Sequence, residues 1–290
     1  MKYFVPFFLF CTLFPLTGQT KVDIAGAVEW RHMEISASVT IKLASVGIRL
    51  PTGRIHAEEI ISDEYPHLVR PYLLSLPVDS SSTLGDMLNR GEFSLLRTDA
   101  ISLAAQKIPP TLSTDLTVMS AQYTVNLDRL SASLLRHTRP QDTLRVLLPA
   151  PVASYTGIII LAYESLPIHG RSVSDYAQPC IFPKIWDTDM NLIYERNMMD
   201  PAIVQTMVRY TGPESIFQAT PSGLDEGIKT LVGDNPLRII ARGVFGIRPT
   251  DPIIDREDAL LILSSESNRR LLREGKVAIV LNSEVLRNSF

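Results

Sequence analysis

Cysteine is nearly absent from this chain of 290 residues, which carries only Cys11 and Cys180. Cys11 lies in the apolar leader, so a chain that loses the leader keeps one thiol and can form no disulfide of its own. Cys180 sits between Pro179-side and Ile181–Phe182 neighbours in QPCIFP and reads as a buried, inert thiol. No basic block is present: 28 Lys and Arg stand against 31 Asp and Glu, for a net charge of −3. A nucleic-acid partner therefore has no electrostatic footprint. Beyond the leader, no uncharged apolar run reaches the roughly twenty residues that span a bilayer; the longest, 158–163 and 277–281, are strand-sized.

The motifs of common catalysts are missing as well. There is no Gly-x-Ser-x-Gly elbow, phosphate-binding loop, dinucleotide glycine pattern, or pair of histidines at i, i+4 with an intervening glutamate. The expectation is a protein that is not an enzyme, with no catalytic, cofactor-binding or metal residues and no cofactor.

What is present begins with MKYFVPFFLFCTLFPLTGQT. Lys2 precedes an uncharged stretch from Tyr3 to Leu16, which exits through Thr17 and Gly18. That is the layout of a secretory signal peptide, assigned here to residues 1–20, with cleavage after Gly18 or near Thr20. An uncleaved N-terminal anchor is the alternative. Phe8 stands where a lipidation box needs a small residue and Cys11 lies inside the apolar core, so lipid attachment is not supported. The expected location is the periplasm, with no stable transmembrane segment after cleavage.

At 45% hydrophobic and 20% charged residues the remainder can bury a substantial core. Val28, Trp30, Ile35, Ala37, Val39 and Ile41 fall largely on alternate positions, which predicts a hairpin turning near 31–34. Ile61, Tyr65, Leu68, Val69, Tyr72 and Leu73 keep helical spacing, and Pro66 and Pro71 predict that this helix divides into two pieces. The segment 111–135 reads as strand. In the second half YTGIIILAY and KVAIVLN are candidate buried strands, the latter closing the fold, and LRIIARGVFG is another strand. IFPKIWD and NLIYE flank a tight turn. Asp255 is placed to cap a helix that Ser264–Ser265 divides and Gly275 ends. The fold class is α+β (mixed α/β) in two lobes, 21–145 and 146–290, each with short strands in a sheet packed by helices.

Several residues invite a sharper reading. Asp187, Asp189 and Asn191 start like a calcium loop, but Leu192 and Met198 occupy the positions that need glycine and glutamate, so a polar hairpin turn is the better account. His32, His56, His67, His137 and His169 do not cluster in sequence; His169, in LPIHGRS, is the one with Gly and Arg beside it. The charged stretches GRIHAEEIISDEYPH and NRRLLREG read as solvated helix faces.

The second half resembles a family of exported bacterial envelope proteins, the small outer-membrane lipoproteins grouped as FlgT-like. The resemblance rests on Tyr155-Thr156-Gly157 opening a strand, Pro183-x-Ile185, the acidic turn from Asp187 to Tyr194, and Gly233-Asp234-Asn235-Pro236. Met190 stands where the family turn has glycine, and no lipidation box is present. The resemblance implies a non-catalytic structural or interaction component with envelope or flagellar proteins as partners, linked to flagellar or outer-envelope assembly. A periplasmic binding module for glycan, peptide or cell-wall polymer is the alternative, and an enzyme of unrecognised type the third reading. Oligomeric state is not set by any of these features.

Overall fold

The computed structural model describes residues 22–147, 152–203 and 206–290. The expected signal peptide at 1–20, Cys11 included, lies outside the described residues. The chain is an α+β protein in two domains.

The first domain is built on a hairpin. β1 (Val22–Glu29) and β2 (Glu34–Lys42) pair antiparallel through a turn at 30–33, where Met33 takes a positive φ of 52°. Alternation sends Ile35, Ala37, Val39 and Ile41 to one face, which α1 (Arg54–Ser75) covers. α2 (Leu84–Asn89) and α3 (Leu95–Leu103) pack beside α1. The edge strand β3 (Gln106–Leu112) and then β4 (Val118–Asn126) complete this side of the sheet.

α1 runs unbroken through Pro66 and Pro71, where the proline pair was expected to divide it. The physical reason lies on its buried face. Ala57, Ile61, Tyr65, Val69 and Leu73 recur every four residues against the sheet, while Pro71 is exposed. Each interior proline costs about 3 kcal/mol, but Ile61, Val69 and Leu73, at about 1.5–3 kcal/mol each, hold both halves in line together with Ala57 and Tyr65.

The segment 111–135 is also not all strand. Leu116 sits in a turn at φ 57°, and the chain after β4 forms α4 (Leu127–Leu134). Asn126 accepts the Arg129 N–H at 3.0 Å as its cap, and Leu127, Leu130 and Leu134 form its buried face.

The second domain contains a four-stranded parallel sheet made of β5 (Ile158–Ala162), β10 (Arg209–Thr211), β11 (Leu237–Ile240) and β14 (Val277–Leu281). Its order is β10-β14-β5-β11, so the two apolar runs are its central strands, buried on both faces. A small hairpin joins β6 (Ser165–Pro167) to β7 (Ser174–Tyr176). A second sheet holds β8 (Ile185–Asp187), β9 (Leu192–Tyr194), β12 (Gly243–Phe245) and β13 (Asp251–Ile254), so LRIIARGVFG is two strands in two sheets. α5 (Glu226–Val232) lies over the parallel sheet. Gly157 makes this approach possible: a Cβ there would lie 2.4 Å from the Val232 Cα.

The expected break at Ser264–Ser265 separates α6 (Arg256–Leu263) from α7 (Glu266–Arg273). Asp255 occupies the cap position without capping, because its carboxylate accepts from Arg242 at 2.6 Å. NRRLLREG is not wholly a solvated face either, since Asn268 and Arg269 are buried. They serve the broken helix: Arg269 donates to the Leu263 carbonyl and Asn268 to that of Leu261.

KVAIVLN does not close the fold. A short 3-10 turn follows β14, and β15 (Arg287–Ser289) returns to pair antiparallel with β1. The first sheet thus reads β15-β1-β2-β4-β3, and 287–289 belong to it although they lie within 146–290. Phe290 exchanges both backbone hydrogen bonds with Gly26, and its ring stacks on Tyr72 of α1 at 3.8 Å. A side chain on Gly26 would meet that ring at 2.6 Å.

Pro71→Ala should raise stability by about 1–2 kcal/mol, because it restores an internal helix hydrogen bond at an exposed position while returning some freedom to the unfolded chain. Urea unfolding at matched slopes measures it.

Candidate functional site

The polar side chains that the fold gathers lie at the junction between the domains. Trp30, at the hairpin turn and fully buried, meets Tyr210 of β10 edge-on, with ring centroids 6.0 Å apart. The Tyr210 hydroxyl donates to the Cys180 carbonyl at 2.8 Å and accepts the Cys180 N–H at 3.1 Å. Burial pushes both the Tyr210 phenol and the Cys180 thiol well above their ordinary values. Cys180 is therefore a protonated core thiol, with little of the thiolate that reactivity requires.

Beside this pin the loop 77–82 docks on the second domain through its backbone. Ile181 and Phe182 donate to the carbonyls of Pro77 and Val78 at 3.0 and 2.8 Å, and Arg248 donates to that of Ser80 at 2.9 Å. Gly246, at φ 120°, leaves room for Ser80, whose Cβ lies 2.4 Å from where a side chain would begin. Beneath the loop, Asp251 is fully buried and accepts from the Lys184 N–H at 3.1 Å and the Thr250 hydroxyl at 2.9 Å. Burial raises its carboxyl above the usual carboxylate range against the opposing pull of these donors.

On the solvent side of the junction is a cleft of about 580 Å³ between the β1–β2 turn and β10 with α5. Arg31, His32, Arg209, Thr211, Asp225 and Thr230 are among its lining residues. Its ionic groups are mostly engaged within the protein. Arg209 makes a bidentate pair with Asp128, both contacts at 2.9 Å, and Arg31 pairs with Glu214. Ser283 accepts from Arg31 at 3.2 Å and donates to Glu214 at 3.0 Å. Asp225 accepts the Ile228 N–H at 2.8 Å as the cap of α5. His32 is exposed at the rim. A second hollow of about 490 Å³ lies on the first sheet, among Ala25, Ser36, Ser38, Gln122 and Ser289.

The residues singled out in the sequence are scattered. Asp187 spends its carboxylate on the hairpin turn, accepting the backbone N–H groups of Asp189 and Asn191 at 3.0 and 2.7 Å. Met190 adopts φ 61° there, a conformation that glycine takes without strain. Asp189 pairs with Arg256. Among the described residues, no group of three or more His, Cys, Asp or Glu is placed to hold a metal. His169 rests against Phe245, and His137 bonds the Met199 carbonyl at 2.9 Å. Thr156 donates to the Val232 carbonyl and accepts the Asn235 N–H, so Thr-Gly and Gly-Asp-Asn-Pro form one structural clasp.

Comparison with known families places both domains. Residues 21–133 match the N-terminal domain of Treponema pallidum Tp0624, and residues 157–283 match its second domain. The chain is similar to Tp0624 in both domains. The two matches keep their order along the chain and leave 134–156 between them. No curated protein matches the chain. Among the described residues, no helix is long and apolar enough to cross a membrane.

The Asp251 carboxyl yields a pH test. A raised folded-state pKa contributes stability that is complete below the unfolded value, about 4, and is lost as pH rises through the folded value. Asp251→Asn removes that titration, so the parent should lose stability relative to the variant as pH rises above about 4, read by unfolding at each pH. Parallel curves would contradict the assignment.

Proposed function

We propose that this protein is a non-catalytic exported envelope component, acting as a structural or interaction protein whose partners are envelope or flagellar proteins. The observation that carries this reading is the state of the junction cleft: Arg31 and Arg209 are each paired with an acidic residue of the other domain, and Asp225 is taken up as the cap of α5. Groups consumed in fixed pairs support a rigid body that presents surfaces, whereas acid–base or nucleophilic chemistry needs groups free to exchange protons with a substrate. The apolar leader with Lys2 ahead of it supports export. The link to flagellar assembly rests on the FlgT-like motifs alone. The matching Tp0624 domain descriptions name no activity.

Fractionation with N-terminal sequencing, followed by cross-linking in intact cells, tests the reading. The expected result is a periplasmic protein shortened by about 18–20 residues and cross-linked to envelope or flagellar proteins. Recovery in the cytoplasm with its leader would contradict it. Co-sedimentation with isolated cell wall in place of protein cross-links would favour the binding-module reading.

A further inference from the structure

The outer edge of β11 is an open strand edge beside a small apolar hollow. β11 pairs on one side only, with β5, where Leu237 and Ala241 donate to the carbonyls of Gly157 and Leu161 at 2.9 Å. In that register the N–H and C=O groups of Arg238 and Ile240 point away from β5, and among the described residues they have no partner. Two other edges are closed: β3 carries Pro109 and Pro110, which cannot donate, and β12 is bridged at Val244 by Ile168 and His169.

Apolar side chains flank the Ile240 end of the free edge, while Arg238 at the other end is exposed and donates to the Ser222 carbonyl at 2.8 Å. Ile240 is 58% exposed and Phe217 61%, and Phe217 meets Tyr163 edge-on at 6.2 Å. Between Leu161, Tyr163, Leu166, Ile240 and Glu164 lies a hollow of about 160 Å³, at the carboxyl ends of β5 and β11. That volume suits one aliphatic side chain and is too small for a folded element.

We infer that β11 is a strand-addition site, which takes an extended polypeptide segment of a partner and seats one of its aliphatic side chains in the hollow beside Tyr163. The occupant follows from the chemistry. Two residues offering N–H and C=O in alternate positions match an extended backbone with up to four hydrogen bonds, and the hollow selects the side chain. Glu164 at the rim favours a Lys or Arg next to the seated residue. The inference rests on the reading of the protein as an interaction component and names where that interaction takes place.

A library of short random peptides displayed on phage and panned against the full chain provides the probe. Enriched peptides should carry β-branched or leucine residues with a neighbouring basic residue, and should protect the amides of Arg238 and Ile240 from hydrogen exchange. Ile240→Pro removes one outward N–H without touching the ladder to β5, and should weaken the selected peptide about tenfold or more, the scale of one or two lost hydrogen bonds. Ile240→Lys places a charge at the edge and should weaken it similarly while keeping the thermal unfolding of the parent. Peptides that bind both variants as they bind the parent would overturn the edge site and leave the interaction reading standing. Failure to enrich any peptide would overturn the edge site as well, and if cross-linking in cells also captured no protein, the interaction reading would fall with it.

Discussion

The packing of Trp30 against Tyr210 holds the arrangement together, because it joins the turn of one sheet to the edge strand of another. Trp30 is fully buried and Tyr210 is 2% exposed, and the Tyr210 hydroxyl is fixed by both backbone groups of Cys180. One face of the parallel sheet, with Ile158, Ile160, Ile279 and Tyr210, belongs to the same apolar core as Val39, Ile61 and Trp30 of the first domain. Among the described residues, Ile159, Ala278, Val280 and their neighbours under α5 form a separate cluster. The domains are therefore distinct in their sheets and joined in their core.

Three further connections fix the angle between them. β15 carries the chain from the second domain back into the first sheet, where Phe290 fills the space that Gly26 leaves. The 77–82 loop contributes backbone hydrogen bonds, and those need no particular side chains. The Arg209–Asp128 and Arg31–Glu214 pairs lie toward solvent, where each contributes at most about 1 kcal/mol. The order of importance is burial first, backbone pairing second and surface charge last.

Elements with strong local periodicity were legible in the sequence. The β1–β2 hairpin, the buried strands β5 and β14, the Asp187 turn and the division at Ser264–Ser265 all follow from alternation, apolar runs or capping residues. The readings that failed involve tertiary burial overriding a local rule. Pro66 and Pro71 sit in a continuous helix because its four-residue stripe is buried, and Arg269 is buried because a broken helix leaves carbonyls to satisfy. β15 has no apolar signature, since Arg287, Asn288 and Ser289 are exposed, so its return to β1 leaves no trace in the residues themselves. The cleft was invisible for a related reason: Arg31 and Arg209 are ordinary surface types far apart in sequence, brought together by the packing of Trp30 on Tyr210.

A shared core requires that the domains unfold together, and differential scanning calorimetry of the full chain tests this most directly. The account predicts one transition whose calorimetric and van't Hoff enthalpies agree. Two separate transitions, with Trp30→Ala lowering one and leaving the other in place, would contradict it.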